Sequence, residues 1–128
     1  MRISLSPKQL REYCQCADTL KAIFQDTTSV WPTDRLYVTS IARTKEEDRS
    51  VGGSGIHATG PPHRAIDIRI VSFGDDYMEK AELIAEIVNG KWEYDPNRSN
   101  LNVCVVSVMG TGHNIHLQVH PRTRRRNG

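Results

Sequence analysis

The sequence predicts an α+β domain, with helices packed on a mostly antiparallel sheet. Three observations predict it. Two stretches carry apolar residues at helical spacing. Four short stretches are β-branched or alternate between apolar and polar residues. Their order is helix, strand, strand, helix, strand, strand, with turn formers between them.

The elements follow in chain order. Ser6-Pro7 has the form of an N-cap with proline at the first helical position. Leu10, Tyr13, Cys14, Ala17, Leu20, Ile23 and Phe24 then recur at helical spacing, which predicts one helix of roughly five turns. Thr27 to Asp34 holds turn formers, including Trp31-Pro32. Leu36 to Ile41 is β-branched and aromatic, hence a strand. Arg43 to Gly55 is charged and then glycine-rich and reads as a loop. Ala65 to Val71 alternates and reads as a second strand. Asp75 or Asp76 caps a helix that stops near Asn89-Gly90, with Tyr77, Ala81, Ile84, Ala85 and Val88 as its apolar face. Trp92 to Asn100 is a polar connection. Leu101 to Met109 is a buried-looking strand, Gly110-Thr-Gly112 a tight turn, and Ile115 to Val119 the last strand.

The chain has 128 residues, 38% hydrophobic and 25% charged. At this size roughly 68% of the unfolded surface can be buried, so one core suffices without staples. No apolar run approaches the roughly 20 residues of a membrane span, and the N-terminus turns polar too soon for a secretory signal. The expectation is a chain made in the cytoplasm. The formal charge is +2, but Arg122, Arg124, Arg125 and Arg126 form a basic C-terminal tail after a single domain over 1–121. The tail, 122–128, reads as a solvated terminus; its alternative is a weak handle for an anionic polymer. Near-neutral charge elsewhere makes a nucleic-acid partner an unfavoured reading. Three cysteines, an odd count, read as reduced thiols. Cys14 and Cys16 stand about 200° apart on a helix and do not converge on a metal.

The five histidines fall into two groups. His57 and His63 flank a glycine-proline turn before Asp67. His113, His116 and His120 surround the last strand. Folded across one sheet, two such segments bring imidazole nitrogens to a carboxylate. That donor chemistry suits zinc, which with three protein ligands keeps a fourth position open. The bland alternative is that these are ordinary core and surface histidines. Gly52, Gly53 and Gly55 do not fit a phosphate-binding loop and read as a flexible rim over the metal site. His116 and Gln118 alternate along a strand and share a face. Gln118 therefore either borders the cleft, supporting a ligand, or is a solvated strand residue.

Val38-Thr-Ser-Ile-Ala-Arg43, Ser54-Gly-Ile-His57, Arg64-Ala-Ile-Asp67 and His116-Leu-Gln-Val119 together resemble the zinc peptidases of the D-alanyl-D-alanine carboxypeptidase type, which share the hedgehog/D-Ala-D-Ala peptidase-like fold and include bacteriophage endolysins. The family pattern is Ser-x-His-x-x-Gly-x-Ala-x-Asp, then a distant strand ending in a histidine. The resemblance covers about residues 36 to 120. It implies a zinc site at the sheet edge with His57, Asp67 and His116 as ligands. It also implies His113 as general base and Arg43 as the group that binds the developing oxyanion. Asn114 occupies the same window as His113 but cannot act as a base. Two spacings differ from the pattern: Pro61-Pro62-His63 lengthens the first motif by three residues, and Ser54 stands three rather than two residues before His57. The insertion leaves His63 as an alternative ligand.

The function implied by the resemblance is a zinc-dependent metallopeptidase. It would hydrolyse amide bonds in peptidoglycan peptides as a carboxypeptidase or a phage endolysin, serving host-cell lysis or belonging to a virion. The alternative is a non-catalytic, zinc-stabilised binding or structural module, such as a phage particle component.

Overall fold

The structure, a computed structural model, describes residues 1–50, 55–108 and 113–127. Gly52, Gly53, Ser54 and the Gly110–Gly112 turn lie outside the described residues. The architecture is α+β, with helices on a mixed sheet.

Strand β1 (Arg2–Ser4) was not foreseen; it lies parallel to β2 (Arg35–Ser40). The remaining pairings in the main sheet are antiparallel. Strand β2 pairs with β3 (Ala65–Arg69), β3 with β6 (Asn114–Gln118), and β6 with β5 (Cys104–Ser107). The spatial order is β1-β2-β3-β6-β5. Strand β3 therefore runs through the centre of the sheet, and β6 inserts between it and β5.

The expected five-turn helix is two helices, α1 (Pro7–Cys14) and α2 (Asp18–Ser29). The chain breaks because Gln15 to Ala17 pairs with a distant segment. His63 N donates to Gln15 O and Ala17 N donates to His63 O, both at 3.0 Å. Those bonds hold Ala17 extended and stop the helical ladder. At the other end, α1 begins as its sequence reads. Ser6 accepts from Gln9 N, Gln9 bonds back to Ser6 N, and Pro7 opens the helix. Helix α2 runs on through Thr27–Ser29, which had been read as turn; buried Thr27 bonds its hydroxyl to Ile23 O.

Helix α4 (Tyr77–Lys91) buries Ala81, Ile84 and Val88, and α2 buries Leu20, Ile23 and Phe24. They pack on β5 and β6 respectively and touch each other. One face of the sheet supplies Leu36, Val38, Ile66, Ile68, Ile115 and Leu117 to this core, all buried. The polar members of the same strands, among them Asp67, His116 and Gln118, alternate onto the opposite face.

Two further segments depart from the sequence reading. The expected loop after Arg43 contains a short helix, α3 (Lys45–Ser50), opened by a reciprocal Thr44–Glu47 capping box. The 92–100 connection is anchored rather than polar throughout, because Trp92, Tyr94 and Asp95 are buried. Its first residues form β4 (Trp92–Glu93), which pairs with β7 (Arg124–Arg125). The basic tail is thus sewn to the domain as far as Arg126. Arg122 binds Asp95 through Nε and Nη2, Arg125 lies 4.3 Å over the Trp92 ring, and Arg126 N donates to Lys91 O. The three cysteines are free, with Cys14 exposed and Cys16 and Cys104 buried. Among the described residues, no helix is long and apolar enough to cross a membrane.

Candidate metal centre

Asp67 and His116 face each other across β3 and β6 in direct register. Hydrogen bonds from Ile70 N to His113 O and from Val119 N to Arg64 O fix which pairs of this ladder are bonded. By alternation, Asp67 and His116 form a non-bonded pair, the type whose side chains approach most closely. The core faces of the same strands, Ile66, Ile68, Ile115 and Leu117, lock the register. The site therefore sits mid-sheet, on its polar face. The expected position at the sheet edge is corrected by β5, whose pairing makes β6 an inner strand.

His57 arrives from outside the sheet, in a single 3₁₀ turn at Ile56–Ala58. Gly55 precedes it with φ of 98°, a conformation that favours glycine. The end of β2 holds the turn at two points. His57 Nδ1 lies 2.7 Å from Ile41 O, and Arg43 N donates to His57 O at 2.8 Å.

His57, Asp67 and His116 form a group able to hold a metal ion, with one donor atom from each within 4.8 Å of the others. His57 Nε2 lies 3.2 Å from Asp67 Oδ2, and His116 Nδ1 lies 2.6 Å from Asp67 Oδ1. Donors on one tetrahedral zinc stand roughly 3.4 Å apart. The tautomers are as informative as the distances. His57 must protonate Nδ1 to bond the Ile41 carbonyl, so a neutral ring turns a bare Nε2 toward the carboxylate. That buried atom has no hydrogen-bond partner. Gln118 donates its Nε2 to Asn102 O at 2.8 Å, leaving Oε1 to face His116 Nε2 at 3.2 Å. His116 Nδ1 forms a 2.6 Å hydrogen bond with Asp67 Oδ1, so a metal here would take the place of the proton between them. The bare His57 Nε2 and the carboxylate repel unless a proton or a metal cation stands between them. A metal satisfies all three donors at once. Burial pushes the Asp67 carboxyl up, but hydrogen bonds and charge from His116 and His57 outweigh it and hold the group well below the usual carboxylate range.

The other site residues read from the sequence divide into two sets. Arg43, His113 and Asn114 line one cleft of about 290 Å³ with Asp67, Thr39, Ser40 and Arg69. His113 Nδ1 is 2.6 Å from Tyr77 Oη, and Asn114 Oδ1 accepts from Thr39 Oγ1 at 3.4 Å. A second cleft of about 410 Å³ shares Thr39, Ser40 and Arg43 and extends to Gln9 and Glu12 on α1. His63 is elsewhere. It is buried and bridges backbone to Cys16, and it does not belong to the metal group, so the geometry places His57 rather than His63 beside Asp67. His120 belongs to the Asp95 cluster, accepting from Arg122 N at Nδ1. Ser54 lies outside the described residues.

Two contacts of the site were missed in the sequence. Asp48, on α3, is buried and binds Arg43 Nη1 at 2.9 Å; its signal was the Thr44-x-x-Glu47 capping pattern, which announces a helix where a loop was read. Tyr77 reaches His113 from the first turn of α4, and no sequence spacing announces that pairing. In comparisons with known proteins, the chain matches no family model, no curated protein and no solved structure.

Proposed function

We propose that the protein is a zinc-dependent hydrolase that cleaves amide bonds in peptidoglycan peptides. The observation that carries this reading is the convergence of one donor atom each from His57, Asp67 and His116 within 4.8 Å, with His57 Nε2 buried and without a hydrogen-bond partner. Imidazole–carboxylate–imidazole is a zinc donor set that leaves a position open, and the resemblance of four sequence segments to D-alanyl-D-alanine carboxypeptidase-type enzymes points the same way. Zinc held there would supply Lewis acidity, making water a better nucleophile near neutral pH and polarising a carbonyl.

The chain's own groups have definite parts in this reading. The two neighbouring clefts, which share Thr39, Ser40 and Arg43, suit a chain-like substrate longer than one residue. His113, held at Nδ1 by Tyr77 Oη, would take a proton from the attacking water at Nε2. Arg43 offers a fixed cation beside the point where negative charge develops on the carbonyl oxygen.

One observation favours a second reading, a zinc-stabilised module without catalysis. Both terminal nitrogens of Arg43 are already engaged by carboxylates, Asp48 and Asp67. Elemental analysis of the purified protein, followed by digestion of purified peptidoglycan, separates the readings. We expect one zinc per chain in the wild type and none in Asp67→Ala. His113→Ala should keep the zinc and stop the release of new amino groups. Zinc without any cleavage by the wild type leaves the non-catalytic module standing, and absence of zinc from the wild type defeats both readings.

A further inference from the structure

Arg43, Asp48 and Gly55 form a linkage that touches the metal group from two sides. Asp48 is 3% exposed, and both its carboxylate oxygens are used. Oδ1 accepts from Arg43 Nη1 at 2.9 Å, and Oδ2 accepts from Gly55 N at 2.7 Å. Arg43 Nη2 continues to Asp67 Oδ2 at 3.3 Å. Gly55 lies two residues before His57, whose carbonyl is held by Arg43 N. One buried carboxylate therefore braces the turn that delivers His57 and the arginine that leans on Asp67.

We infer that Asp48 is a positioning residue for the metal centre, acting through Arg43 to keep Asp67 available to a cation. The charge arithmetic gives the reason. Asp67 Oδ2 is shared by the Arg43 guanidinium and His57 Nε2. A guanidinium with no other partner would close on Asp67 as a full ion pair and compete with a metal for its electrons. Asp48 takes the opposite edge of the same guanidinium, so the arginine is split between two carboxylates. Its planar fork makes that division possible; a lysine ammonium could not hold both in this geometry. Asp48 thus turns a competing cation into an outer support that fixes the Asp67 rotamer. Such outer partners typically govern metal affinity by 10- to 100-fold.

The inference rests on the metal-centre part of the proposed function, and its test separates the two. Zn²⁺ affinity is measured by competition with a chromophoric chelator, and Co²⁺ is used to record the visible spectrum of the site. Wild type, Asp48→Asn, Arg43→Gln, Arg43→Lys and the Asp48→Asn/Arg43→Gln double variant are compared, with thermal unfolding of each metal-free form. We expect Asp48→Asn to weaken Zn²⁺ binding by roughly 10- to 100-fold and to alter the Co²⁺ spectrum. Arg43→Lys should weaken binding similarly, which keeps the test open should Asp48→Asn fail to fold. The double variant should bind no worse than the weaker single variant, because both act along one path. Wild-type affinity in Asp48→Asn or Arg43→Lys overturns the inference, as do additive losses in the double variant. A lower unfolding temperature with unchanged affinity makes Asp48 a structural residue only and also overturns it. Should the wild type bind no Zn²⁺ that His57→Ala abolishes, the metal centre itself is refuted and the positioning role with it.

Discussion

Two of the buried aspartates, Asp67 and Asp95, have opposite surroundings. Asp95 is enclosed by donors that all carry hydrogens: Arg122 Nε and Nη2 at 2.9 and 2.8 Å, Arg98 Nε at 3.0 Å, and Asn97 N at 3.0 Å. Every lone pair of that carboxylate has an answer within the chain. Asp67 has Arg43 on one oxygen and His116 Nδ1 2.6 Å from the other, but His57 turns toward it a buried Nε2 with no hydrogen-bond partner. A completed carboxylate cluster is architecture. One with an unanswered imidazole nitrogen beside it can hold a cation. The same residue type at similar depth sits in two settings, and the donor set of its neighbours tells them apart.

The sharpest way to break that contrast is to remove each aspartate. Asp67→Ala should abolish Zn²⁺ binding and the thermal stabilisation that Zn²⁺ gives the wild type. That stabilisation should reach about 2.7 kcal/mol when free metal is a hundredfold above Kd. Asp95→Ala should do the reverse. It should lower the unfolding temperature by more than about 5 °C with or without metal, since it strands Arg122 and loosens the β4–β7 clamp. Its Zn²⁺ affinity should stay at the wild-type value. Equal metal responses in the two variants would erase the distinction.

Acid separates the clusters less violently. Hydrogen bonds from Arg122 outweigh the upward push of burial and hold the Asp95 carboxyl well below its usual range. The folded-state pKa is thus lower than the unfolded value, near 3.9. Such a group stabilises the fold at pH above that value, and the contribution is lost as pH falls from there toward the folded pKa. The unfolding temperature should accordingly fall below about pH 4. Arg122→Met should be less stable than wild type at pH 7 and should lose less on going to pH 3. Thermal scans of metal-free protein in an Asp67→Asn background isolate this limb from that of the metal group. Parallel pH profiles for the two proteins would show that Arg122 does not set the Asp95 ionisation.

What the sequence disclosed about these clusters follows from how local each signal is. The strands carrying Asp67 and His116 were legible because their apolar partners alternate, and alternation places both polar residues on one face. Their meeting depended on which strands neighbour each other, and spacing along a chain does not give that. The sheet-edge expectation failed there, because β5 covers the far side of β6. The split between α1 and α2 was illegible for a related reason. Apolar periodicity runs through Ala17 without a break, and what stops the helix is His63, 46 residues away. Asp95 gave no sign of burial in a stretch of polar residues, since its partners include Arg122 beyond the last core strand. Asp48 could have been caught, for Thr44 and Glu47 carry the capping pattern in plain order.

The finest distinction concerns Gln118, whose amide holds the outer nitrogen of the His116 ring. Its Nε2 is anchored on Asn102 O, so Oε1 presents a fixed acceptor to His116 Nε2. A metal at Nδ1 needs the remaining ring proton on Nε2, and alanine at 118 removes the acceptor that keeps it there. Zn²⁺ affinity should therefore drop by roughly tenfold in Gln118→Ala. Gln118→Glu should restore the affinity, because a carboxylate oxygen holds the Nε2 proton at least as well as the amide does. Nitrogen chemical shifts of the His116 ring, with and without Zn²⁺, report which nitrogen carries the proton. Unchanged shifts and affinity in Gln118→Ala would leave the glutamine as a strand residue that happens to lie beside the site.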